Sequence, residues 1–157
     1  MIKEAKNVFL IGILYIIFIS YLINRIIHKK ITFAIVVRKK NQFRKKGVIF
    51  VTKKHEYLQL GFLKHKKNHI IIPHQHKKKI RKIPISTEVL IIRSGEIKAI
   101  FYDFNNKTIN KDILLKRGDI IILLQGGHGF QVLKNAEIIE IKQGPYVSIK
   151  NDKKMIQ

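Results

Sequence analysis

Thr87-Glu88-Val89-Leu90-Ile91-Ile92-Arg93-Ser94-Gly95-Glu96-Ile97-Lys98-Ala99-Ile100-Phe101-Tyr102 reads as two short strands, 88–93 and 97–102, joined by a turn at Ser94-Gly95. β-Branched and aromatic residues fill both runs, and Ser-Gly is turn chemistry. The same pattern extends outward. Further candidate strands are 32–37, 48–52, 58–63, 69–72, 108–115, 120–124, 131–133 and 137–143. Between them lie Asp103 to Lys107 with its paired asparagines, Gly118-Asp119, Gly126-Gly127 and Asn135. Short strands at about 8–12-residue spacing, broken by tight turns, predict an all-β sandwich or barrel. No helical period, internal repeat or low-complexity linker interrupts residues 31–147, which are expected to form one domain. The tail, 148–157, reads as irregular.

Residues 1–30 differ from the rest. Residues 8–23 carry no charge, and the apolar run stretches to Ile27 only across Asn24 and Arg25. That length is marginal for a bilayer, which asks for about 20 apolar residues. No small-residue cleavage site follows, which argues against a removable signal. The expectation is an N-terminal apolar helix, a membrane anchor through residues 8–27. The heavier basic flank at Arg25, Lys29 and Lys30 keeps the body of the protein on the cytoplasmic side.

The net charge is +22, from 32 basic and 10 acidic residues, and the isoelectric point is near 10.3. The lysines are spread along the whole chain, and no arginine-rich or glycine-aromatic recognition motif accompanies them, so no specific nucleic-acid partner is expected. The positive potential favours a phosphorylated or carboxylated small molecule. There is no cysteine, which excludes disulfides, thiolate metal sites and cysteine nucleophiles. No nucleophile elbow, phosphate-binding glycine loop or HExxH helix is present.

Four residues carry the remaining chemistry: His74 and His76 in Ile-Pro-His-Gln-His, Glu88, and His128 in Gly-Gly-His-Gly-Phe. At i and i+2 of an extended chain, the two histidines point the same way. Glu88 shares a face with Leu90 and Ile92, where an unpaired carboxylate is costly to bury and a cation is its natural partner. His128 shares a side with Phe130 and Val132. Three imidazoles and one carboxylate suit a divalent Zn, Mn, Fe or Ni ion with an open coordination position.

At these residues the chain resembles a cupin. The first motif of that superfamily is matched by His74, His76, Glu88 and Gly95, and the second by Gly118-Asp119 and His128. Thr87 to Leu90, Phe101-Tyr102-Asp103, Gly126 to Phe130 and Lys142-Gln143-Gly144-Pro145-Tyr146 resemble more closely a group of small, largely uncharacterised single-domain bacterial cupins, often encoded near surface-polysaccharide or nucleotide-sugar genes. Eleven residues separate His76 from Glu88, where the superfamily has three or four. Leu124 replaces the proline of the second motif, and Val132 its asparagine.

The resemblance implies a jelly-roll-like barrel over residues 31–147 and one divalent ion on His74, His76, Glu88 and His128. It also implies a homodimer formed through an added strand, and a sugar-like or nucleotide-sugar-like ligand. An isomerase or epimerase using the metal as Lewis acid is the first expectation. A tethered carbohydrate- or metal-binding module and a ferrous-iron dioxygenase are the alternatives. Arg81, Phe130, Glu140 and Lys142 are candidates for substrate contact. His55, His65 and His69 read as surface residues.

Overall fold

The computed structural model describes residues 23–39 and 47–156. Eight strands and one short helix follow in order: β1 (Ile23–His28), β2 (Ile31–Val37), β3 (Gly47–Phe50), β4 (Gly61–Lys64), β5 (Glu88–Tyr102), β6 (Thr108–Lys116), β7 (Ile120–Leu123), β8 (Gly127–Lys142) and α1 (Ile149–Asp152). The fold is all-β, with antiparallel pairing throughout. Six strands make one sheet in the order β1-β2-β7-β5-β6, with β8 also on β5, while β3 and β4 form a separate hairpin. A strand has two edges, so β8 lines one edge of β5 along its whole length while β7 and then β6 share the other.

β5 is one strand rather than two. The turn expected at Ser94-Gly95 is instead a bend within a continuous ladder to β8, whose register shifts between Ile92 and Ser94, Ser94 and Glu96, and Glu96 and Ile97. The expected strands at 131–133 and 137–143 are likewise one strand, β8, which ends at Lys142. Gly95 has φ +76°, and a Cβ there would lie 2.1 Å from the Asn135 carbonyl oxygen, so the bend closes tightly enough to exclude any side chain.

The bend curls the sheet. Leu123 pairs with Glu88 and Gly127 with Tyr102, yet only three residues separate Leu123 from Gly127. A straight strand from Glu88 to Tyr102 would span about 48 Å, whereas the connection reaches at most about 14 Å, with about 5 Å of strand spacing at each end. β5 therefore folds back, and the sheet becomes an open half-barrel. Gly126, with φ +75°, seats the tight connection against the Phe33 ring, 2.2 Å from where its Cβ would be.

The curl also switches parity. Leu90 and Ile92 face the inner core before the bend, and Ile97, Ala99 and Phe101 face it afterwards. An even-to-odd change is what an inserted residue produces in a period-2 strand. Val89 with Ile122, and Ile35 with Val37, face a second core against Val51, Leu58, Leu60 and Phe62 of the hairpin region. β2, β7 and the first half of β5 are thus covered on both faces, which is why they read as continuous apolar runs.

Several expectations change here. Residues 69–72 form no strand, because Ile70, Ile71 and Ile72 have no pairing partner among the described residues and lie exposed. Strand β1 begins before residue 31 and pairs with β2. The last five residues of the candidate membrane segment 8–27 therefore belong to the sheet, and the remainder lies outside the described residues. Among those described, no helix is long and apolar enough to cross a membrane. The tail contains the four-residue helix α1, whose Ser148 hydroxyl accepts from the Asn151 amide at 3.3 Å.

Candidate functional site

Among the described residues of this acid-poor chain three acids are buried: Glu88, Asp103 and Asp119. Two of them build turns. Asp103 Oδ1 accepts from the Lys107 and Asn105 amides at 2.9 Å each, and these donors, Lys107 first, hold its carboxyl below the usual range. Asp119 accepts from the Lys39 amide at 2.9 Å, from Arg38 Nη1 at 2.8 Å and from the Lys116 amide at 3.1 Å. Glu88 caps no turn.

The curl gives Glu88 its partner. His128 is opposite Phe101 in the β5–β8 ladder, and paired residues project to the same face, so its imidazole enters the concave side with Phe101. Glu88 enters that side from the other end of β5. Their heads meet with Nε2 of His128 3.2 Å from Oε2 of Glu88. Phe130 supports the imidazole, its ring centroid 5.7 Å from that of His128 and its side chain packed on the inner core.

The C-terminal segment completes the surroundings. Lys153 Nζ lies 3.9 Å from the other Glu88 oxygen. Lys142, directly opposite Glu88 in the ladder, donates to Asp152 at 2.9 Å and stands 4.6 Å over the Tyr146 ring. The Gln143 side-chain carbonyl accepts from the Thr87 amide at 2.7 Å, while its buried Nε2 has no partner among the described residues. Hydrogen bonding from His128 holds the Glu88 carboxyl below the ordinary carboxylate range, against the opposing effect of burial, with the charges of His128, Lys153 and Lys142 adding to it. The hydrogen bond to Asp152 raises the Lys142 ammonium above its usual value.

The residues expected from the sequence divide accordingly. Glu88 and His128 come together, with Phe130 and Lys142 beside them. His74 and His76 lie next to each other, ring centroids 5.4 Å apart, in the exposed connection between β4 and β5, where Nδ1 of His74 is 2.8 Å from the Ile72 carbonyl oxygen. Arg81 is exposed in the same connection, and Glu140 is exposed on β8. Among the described residues no group of three or more His, Cys, Asp or Glu side chains stands close enough to hold a metal ion. The four candidate residues stand as two pairs, His74 with His76 and Glu88 with His128, and as folded they do not make a four-ligand group.

Lys153, Gln143 and Asp152 were not legible as site residues. Gln143 stood in the stretch from Lys142 to Tyr146 that carries the resemblance, and Asp152, one of only ten acids, follows a helix-start pattern from Ser148 to Asn151. No protein-family model, curated protein or solved structure matches the chain.

Proposed function

We propose that this protein is a cupin-like small-molecule protein whose concave face binds an anionic, hydroxylated ligand of the sugar or nucleotide-sugar kind and moves a proton on it. The observation that carries this reading is the Glu88–His128 pair, a carboxylate and an imidazole 3.2 Å apart on the inner side of the curled sheet. With Nε2–H donated to Glu88, Nδ1 of His128 is free to take a proton from a carbon next to a carbonyl, and Glu88 fixes the ring's orientation and tautomer. Lys153 and Lys142 supply positive charge for a phosphate or enolate. The unpartnered Gln143 amide adds a donor for a hydroxyl. This is isomerase or epimerase chemistry.

A metal-centred form of the same reading rests on the proximity of His74 to His76. It requires their segment to reach Glu88 and His128, and no step above depends on it.

The test is exchange of substrate hydrogen for solvent deuterium, followed by NMR over a panel of sugar phosphates and nucleotide sugars. His128→Ala is expected to reduce exchange by about 10²–10⁴-fold, and Lys153→Ala to weaken binding of the phosphorylated members. A panel that neither binds nor exchanges overturns the reading.

A further inference from the structure

Residues 65–86 cross from β4 to β5 without helix or strand, and every one of them is exposed. Isoleucine is the side chain least expected there, yet Ile70, Ile72 and Ile80 are 77%, 78% and 94% exposed. Ile70, Ile71 and Ile72 are consecutive and all exposed, and adjacent apolar side chains in water mark a surface made to be covered. The basic residues around them define what covers it. Seven lysines and arginines lie from Lys66 to Lys82, and no acid occurs between Glu56 and Glu88. Interleaved isoleucine and ammonium groups match a layer that offers phosphate at one depth and hydrocarbon just below it. A single-stranded nucleic acid would be met by several large aromatic platforms; no Phe, Tyr or Trp occurs between Phe62 and Phe101, and the rings stacked there are only those of His65 and His69 on each other.

We propose that residues 65–86 dock this protein on an anionic lipid surface, with the isoleucines at the acyl boundary and the lysines among the headgroups. The segment runs directly into Thr87 and Glu88, so docking brings the concave site beside the bilayer. The surface is separate in sequence from the apolar stretch at 8–23, which the test holds constant.

The full-length protein is floated with vesicles of phosphatidylcholine containing about one-third phosphatidylserine, and with phosphatidylcholine alone. Wild type is expected to partition at least about tenfold more strongly onto the anionic vesicles. Two variants are compared: Ile70→Ser with Ile72→Ser and Ile80→Ser, and Lys77→Gln with Lys78→Gln and Lys79→Gln. Each should lose at least about tenfold of that binding with an unchanged far-ultraviolet circular dichroism spectrum, since all six positions are exposed. Wild-type binding by either variant overturns the proposal. Loss by the lysine variant alone, with wild-type protein drawn off the vesicles by poly(U), also overturns it and assigns the segment to RNA phosphates.

Discussion

The tripeptide Ile-Ile-Ile occurs twice in this chain, at 70–72 and at 120–122. In the second copy Ile121 and Ile122 are fully buried, while in the first Ile70 and Ile72 are more than three-quarters exposed. The residues are the same and their neighbours differ. Residues 120–122 follow the Gly118-Asp119 turn and run between β2 and β5, with a ladder on each edge and a core on each face. Residues 70–72 precede Pro73 and a lysine-rich stretch, and no strand among the described residues lies alongside. An apolar run becomes a buried strand only when other strands satisfy its backbone.

The largest effect should come from the bend that encloses the buried copy. Gly95→Ala places a methyl group against the Asn135 carbonyl at a left-handed φ. A loss of about 3 kcal/mol or more is expected in urea unfolding, together with separation of Glu88 from His128. Ile121→Ala should cost about 3 kcal/mol by the same measurement, whereas Ile71→Ala should lie within about 0.5 kcal/mol of wild type. Equal effects at Ile121 and Ile71 would erase the contrast. Asp119→Ala leaves three donors without their acceptor at the turn that aims β7, at about 2 kcal/mol.

Glu88→Gln is a smaller change, about 1 kcal/mol at neutral pH, and its effect depends on pH. The folded carboxyl is held below its ordinary 4.5. The stabilisation is therefore fully present above that value and disappears as pH falls through the lowered one. Wild type and variant should converge in acid, and a gap that widens there would contradict the His128 hydrogen bond. For a divalent ion, the two-ligand pair Glu88–His128 predicts weak uptake in titration calorimetry that His74→Ala leaves unchanged. Tight binding of one ion per chain, lost in both His74→Ala and Glu88→Gln, would show the two pairs closing on one centre.

Much of the architecture was legible because strands leave a period-2 or continuous apolar record and turns leave glycine and aspartate. Residues 32–37, 108–115 and 120–124 were found to within a residue or two. Ser94-Gly95 was seen as a break, but a left-handed glycine serves a turn and a bulge equally well, and only the β8 ladder distinguishes them. At 69–72 an apolar run was read as a strand although nothing among the described residues pairs with it. In the site, Glu88 stood out as an acid among apolar neighbours and His128 as an imidazole after a glycine turn, whereas Lys153 had nothing to set it apart in a lysine-rich chain and Gln143 was marked only as part of the stretch from Lys142 to Tyr146.

By itself the sequence determined the all-β class, the turns at Asp103 to Lys107 and at Gly118-Asp119, and that Glu88 must find a positive or hydrogen-bonding partner. These follow from local geometry and the cost of burying charge. Only the tertiary structure decided which partner Glu88 takes, that one bent strand replaces two, and which of two identical isoleucine triplets is buried. Those outcomes depend on contacts between residues far apart in the chain. Glu88 and His128 are forty residues apart, and the curl at Gly95 brings them to 3.2 Å.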